Sequence, residues 1–124
     1  MAIDLSRDQA LQLLSRFIAA EVRTAHPDLT ARQLAILLRV YLAPPPHTVR
    51  GLAAEFALRK PAVTRALDRL SILGLVRRRP DPEDRRSVLV QRTVKGAVHV
   101  SDLGECLRRE AAAGPDAAQN NLAR

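Results

Sequence analysis

A chain of 124 residues with 47% apolar but only 2% aromatic content fits one domain with a core of Leu, Val, Ile and Ala, and leaves little room for a second. Lys and Arg number 20 against 13 Asp and Glu, and the resulting +7 charge points to a polyanionic partner, either nucleic acid or an anionic membrane. The lone Cys106 excludes an internal disulfide, no uncharged apolar run approaches the ~18 residues of a membrane span, and Met1-Ala2-Ile3-Asp4 lacks the basic start of a signal peptide, so the expected location is cytoplasmic.

Ser6-Arg7-Asp8-Gln9 has the S-x-x-Q form of a capping box, with Leu5 placed as its hydrophobic staple. Leu13, Leu14, Phe17, Ile18 and Val22 then recur at helical spacing, and His26-Pro27 stops the helix because the residue before proline avoids αR geometry. Thr30-Ala31-Arg32-Gln33 opens a second helix in the same way, with Leu34, Leu37, Leu38 and Tyr41 as its expected buried stripe. Pro44-Pro45-Pro46 ends it and reads as a rigid connection. A short third helix is expected from Val49 to Ala57 with Thr48 as N-cap, then a turn at Leu58-Arg59. The fourth helix runs from Lys60 or Pro61 to Leu73, with Val63, Ala66, Leu67, Leu70 and Leu73 inward and Thr64, Arg65, Asp68 and Arg69 outward. Gly74 suits the C′ position. Leu75 to Arg79 and Arg86 to Thr93 read as strands joined by a turn over Pro80–Asp84. Thr93 caps a last helix over Val94 to Ala113.

The expected fold is therefore mainly α with a small β-hairpin wing, a winged helix-turn-helix in the order α-α-α-α-β-β-α. Residues 1–113 form its single domain, with the first and last helices as dimerisation elements and 114–124 as a flexible tail. In this arrangement the second helix of the pair enters the DNA major groove, and arginines of the hairpin reach the minor groove. Residues 59–92 carry ten basic against four acidic side chains, nearly all of the chain's excess. Arg65 and Lys60 can donate to guanine, and Thr64 can bond a base or touch a thymine methyl. Asp68 either accepts from cytosine or pairs with Arg65, and pairing is the preferred reading because a bare acid is repelled by phosphates. In the first strand Arg77 and Arg79 share one face and Arg78 takes the other.

The segments "LTARQLAILL" and "VRGLAAEFALRKPAVTRALDRLSILGLVRRRPDPEDRRSVLVQRTVKG" resemble the MarR family of bacterial winged-helix regulators, over about Leu29 to Gly96. The resemblance implies sequence-specific binding of double-stranded DNA, regulation of transcription, a homodimer on a palindromic operator, and response to a small molecule or oxidant. It maps the family's D-x-R wing motif onto Asp84 and Arg86, the aspartate orienting an arginine that enters the minor groove, with Arg85 as a backbone contact or second reader. The recognition helix would turn Lys60, Pro61, Thr64 and Arg65 toward bases. Arg59 stands where the family often has a serine N-cap, so a cap is lost and a cation near phosphate gained. Arg69, Arg77 and Arg79 complete the expected DNA-binding set. Family members usually have two helices after the wing; with one here, the dimer forms from the first and last helices alone.

Cys106, near Arg108 and Arg109, is a candidate redox sensor, set against the commoner reading of a small buried hydrophobe. His26, His47 and His99 lack metal-ligand spacing, so no metal site is expected. No catalytic constellation or phosphate loop stands out, so no enzyme activity and no cofactor is expected, and the residues themselves point to no effector. A winged-helix protein-interaction module is the alternative, and it would need an apolar exposed face on the fourth helix. A membrane-surface role ranks below both, since the cations do not follow one amphipathic helix.

Overall fold

The computed structural model of the chain describes residues 2–122, with side chains over 2–114. The tail expected over 114–124 lies, past Gly114, outside the side chains described. The elements in order are α1 (Arg7–Val22), α2 (Ala31–Leu42), β1 (His47–Thr48), α3 (Val49–Glu55), α4 (Lys60–Ile72), β2 (Val76–Asp81), β3 (Asp84–Arg92) and α5 (Val94–Leu122). Four helix starts are fixed by short polar side chains. Ser6 and Gln9 close one reciprocal capping box at 3.1 and 2.9 Å, and Thr30 and Gln33 another at 3.1 and 3.0 Å. Thr48 accepts from the Gly51 N–H and Thr93 from the Gly96 N–H, each at 2.9 Å. Caps of this kind contribute roughly 1 kcal/mol each. α5 is kinked at Gly114, where φ is 70°.

Contacts divide the chain into a unit over Leu29–Val100 and a unit formed by the segments before Leu29 and after Val100. The first has a dry core: Ile36, Leu37 and Val40 of α2, Val49 and Leu52 of α3, Val63, Ala66, Leu67 and Leu70 of α4, then Leu75, Val76 and Val90. Every inward position expected on α4 up to Leu70 is buried. On α2 the expected stripe is shifted: Ile36, Leu37 and Val40 are buried, while Leu34, Leu38 and Tyr41 are half-buried. α2 packs against both α4 and β3, so its buried face is wider than one stripe.

The sheet has three strands in the order β1-β3-β2, both pairings antiparallel. β1 was not expected; two residues carry no periodicity, and only the pairing of His47 with Val90 and Thr48 with Leu89 makes them a strand. A polar joint fixes the base of the hairpin. The Tyr41 hydroxyl donates to the Leu75 carbonyl at 2.7 Å and accepts from the Thr93 N–H at 2.9 Å. Gly96 passes so close that a Cβ there would run into the Tyr41 hydroxyl and the Leu75 carbonyl. Arg92 donates to the carbonyls of Val40 at 2.8 Å and Ala43 at 2.9 Å, satisfying acceptors at the end of α2.

The second unit buries little. α1 has no buried residue, and Leu11, Leu14, Ile18 and Val22 are exposed along it. Leu13 and Phe17 are half-buried. Arg16 donates to the Glu110 carbonyl at 3.2 Å. His26 stands between Glu21 at 3.0 Å and Asp102 at 3.5 Å. The hydrogen bond to Glu21, followed by the charges of both carboxylates, outweighs desolvation and holds the imidazole above its ordinary pKa.

Candidate nucleic-acid interface

α3 and α4 form the helix-turn-helix. The turn is made by Ala57, which adopts φ 51°, and by the Leu58 N–H donating to the Ala53 carbonyl at 2.9 Å. Left-handed geometry at an alanine is strained, so this turn is held by the packing of Phe56 and Leu58 on the core rather than by local preference. α4 then starts at Arg59 without a side-chain cap, with proline in its first turn. That leaves the Arg59 side chain exposed beside Lys60 and Pro61. Because Val63, Ala66, Leu67 and Leu70 turn inward, Arg65 and Arg69 face outward, and Thr64 is half-buried at the edge of that face. The expected recognition set thus shares one solvent-facing surface.

The hairpin is longer than the sequence suggested. β2 extends through Pro80 and Asp81, β3 begins at Asp84, and only Pro82 and Glu83 lie between them. The ladder runs regularly from Val76 opposite Arg92 to Pro80 opposite Val88, then shifts so that Asp81 faces Asp84. Arg85, Arg86 and Ser87 therefore have no counterparts across the ladder and form a bulge at the tip. Proline cannot donate to the ladder, and the register shifts directly after Pro80. Bulges re-aim side chains, and this one carries Arg85 and Arg86, both exposed. Asp84 accepts from the backbone N–H of Arg86 at 3.0 Å, and Asp81 from that of Glu83 at 2.9 Å. The aspartate of the D-x-R motif thus shapes the backbone that carries the arginine; its recorded hydrogen bond is to that main chain, not to the guanidinium.

Along β2 the faces alternate as period 2 requires. Arg77 and Arg79 are exposed, and the Arg77 guanidinium donates to Gln91 at 3.4 Å. Arg78 lies on the face of buried Val90 and pairs with Asp68 at 2.7 Å. Asp68 is paired, as preferred, but its partner is Arg78 of the wing and not Arg65 three residues earlier in α4. Helical spacing alone made Arg65 the visible candidate, while Arg78 reaches Asp68 only through the tertiary fold. Arg32 was not among the expected site residues: the sequence marked it only as part of a capping box. It is exposed, and with Thr30, Gln33, Ala62 and Arg65 it lines a hollow of about 420 Å³ between the start of α2 and α4.

Cys106 is buried, and its neighbour Arg108 is engaged with Glu105 at 2.5 Å, so the surroundings are those of a packing residue. Among the described residues no three His, Cys, Asp or Glu side chains are grouped to hold a metal ion. No helix among the described residues is long and apolar enough to cross a membrane.

Residues 28–87, which span this interface from the start of α2 through the wing tip, match the sequence model of the MarR family. The multiple antibiotic resistance protein MarR of Escherichia coli K12 is 38% identical over 73 residues, which are 56% of this chain and 48% of that protein. The chain thus spans about half the length of that curated relative. Among solved structures, a point mutant of MarR from E. coli complexed with operator DNA aligns with TM-score 0.62 and 28% identity, over 85% of this chain and 72% of the other. The transcriptional regulator BldR from Sulfolobus solfataricus aligns with TM-score 0.58 and 28% identity, over 85% and 81%.

Proposed function

Because the chain belongs to the MarR family, we propose that it binds double-stranded DNA sequence-specifically and regulates transcription, with α4 in the major groove and the hairpin tip in the minor groove. The observation that carries this reading is the union of two basic surfaces within one unit: the outward face of α4 and the bulged tip with Arg85 and Arg86. A major groove ~12 Å wide admits α4 with its side chains. Lys60, Pro61, Thr64 and Arg65 read or abut bases. Arg59, Arg69, Arg77 and Arg79 neutralise phosphates, and Arg32 adds a cation beside Arg65. Asp84 holds the main chain at Arg86 so that its guanidinium enters the narrow groove, where negative potential is strongest in A·T-rich DNA. The work is done by binding alone, in the compartment that holds the chromosome, which is the cytoplasm.

The protein acts as a homodimer in this reading. α1 presents Leu11, Leu14, Ile18 and Val22 to solvent, a row that a second copy would cover together with apolar residues of α5 such as Leu107. Two recognition helices then sit ~34–36 Å apart, one turn of DNA.

Selection of duplexes from a random pool, followed by a salt series on the selected DNA, tests the proposal. Binding is expected to weaken steeply with salt, with a log–log slope of about −0.9 per phosphate contact. Arg65→Ala and Arg86→Ala are each expected to lose roughly 1–3 kcal/mol of discrimination. Failure to enrich any duplex, or selected-duplex affinity unchanged by Arg86→Ala, would overturn it.

A further inference from the structure

Beyond Leu89, the last β3 residue paired with β1, the wing is a two-stranded ribbon, and such a ribbon is marginally stable by itself. Its inner face carries two arginines, and neither points at solvent alone. Arg92, at the base, is held by the carbonyls of Val40 and Ala43 at the end of α2. Arg78 is two residues farther from the base along β2 than Val76, the partner of Arg92. Its guanidinium is 2.7 Å from the Asp68 carboxylate on α4, and its side chain is only 28% exposed. Arg77 and Arg79, on either side in sequence, are exposed on the opposite face.

We infer that Arg78 and Asp68 are positioning residues for DNA recognition: their ion pair sets the pitch of the wing against the recognition helix, and Arg78 contributes no phosphate contact of its own. The inference rests on the DNA-binding reading. Three facts converge on it. Asp68 lies on the basic face of α4 between Arg65 and Arg69, where an unpaired carboxylate would repel phosphate. Pairing with Arg78 cancels that charge without occupying Arg65. The same bond joins the element proposed for the major groove to the element proposed for the minor groove, so their separation is fixed before DNA arrives. Preorganisation of this kind contributes specificity by removing an ordering cost from binding.

The experiment compares the parent protein with Arg78→Ala, Asp68→Ala, the double variant and Arg78→Lys. The probes are duplexes selected by the parent from a random pool, and the unselected pool itself. Each alanine variant is expected to lower the preference for selected over unselected DNA by about fivefold, the scale of one exposed ion pair. The double variant is expected to lose no more than either single, since one bond is removed in all three. Arg78→Lys keeps the pair and stays near the parent. The salt slope is expected to stay at the parent value in Arg78→Ala, whereas loss of a phosphate contact would reduce it by about 0.9. Melting temperatures are expected to match the parent, because a partly exposed pair adds little to folding. A slope reduced by that amount, or Asp68→Ala tightening selected-duplex binding with preference intact, would overturn the inference while leaving DNA binding standing. If the parent selects no duplex, the DNA-binding reading fails instead. Hydrogen exchange of the β2 and β3 amides then decides whether the pair holds the wing: faster exchange in both alanine variants supports the tie, and unchanged exchange refutes it.

Discussion

The Leu29–Val100 unit and the unit built from the two ends of the chain use the same residue types to opposite effect. In the first, α2, α3, α4 and the sheet surround Ile36, Leu37, Leu52, Leu67 and Leu70, none more than 1% exposed. In the second, α1 is just as regular, with a complete capping box, yet buries nothing fully and leaves Leu14 56% and Val22 72% exposed. Capping and periodicity make a helix; they do not supply the surface that it packs against. The Leu29–Val100 unit thus supplies its own packing partners, and the terminal unit carries an exposed apolar row that a second copy would cover in the dimer proposed above.

The comparison is broken or sharpened most strongly in the core. Leu67→Ala is expected to cost about 2–5 kcal/mol in denaturant unfolding, through lost burial and the cavity left behind. An effect below ~1 kcal/mol would mean that the first unit is less tightly packed than its exposure values indicate. Next comes Gly96→Ala, which drives a methyl into the Tyr41 hydroxyl and Leu75 carbonyl; overpacking of this kind is expected to cost roughly 1–3 kcal/mol in the same measurement. On α1, Leu14→Asp is expected to change unfolding of the dilute chain by less than ~1 kcal/mol, as an exposed substitution should, while sedimentation shifts from dimer to monomer. A large, concentration-independent destabilisation would place Leu14 in a folding core and erase the contrast.

Ala57→Gly is expected to stabilise the first unit by about 0.5 kcal/mol. Relief of left-handed strain, about 1–2 kcal/mol, outweighs the entropy that glycine adds to the unfolded chain. The smallest effect belongs to His26 in the terminal unit. Its pKa is raised in the fold, so its contribution is fully present below the unfolded value near ~6.5 and is lost as pH rises through the higher folded value. The stability difference between the parent and His26→Gln should therefore be largest near pH ~6 and decline toward pH ~8. A difference that grows with pH would contradict the Glu21–His26–Asp102 arrangement.

Much of the fold was legible because its signals are local. The S-x-x-Q and T-x-x-Q boxes, the i, i+3, i+4 spacing in α4, Gly74 at positive φ and the β-branched run in β3 each need only neighbouring residues, and each element they mark is present. The outward set Lys60, Arg65 and Arg69 followed from the same periodicity, because fixing the inner face of a helix fixes the outer one. β1 was illegible, since two residues have no period and become a strand only beside β3. The bulge at Arg85–Ser87 was hidden behind a Pro- and Asp-rich stretch that read as a simple turn.

Sequence by itself determined which segments are helical, where they begin, and which faces of α4 and β2 are charged, because hydrogen bonds between near neighbours and side-chain period settle those matters within a few residues. Only the tertiary structure decided which opposite charges meet. Asp68 had a candidate partner three residues away in Arg65 and took Arg78 instead, and Arg92 found the carbonyls of α2 more than forty residues back in the chain. Ion pairs act over a few ångströms whatever the sequence separation, so partners are chosen by packing, which buries the inner face of the sheet against α4 and α2 and brings those arginines within reach.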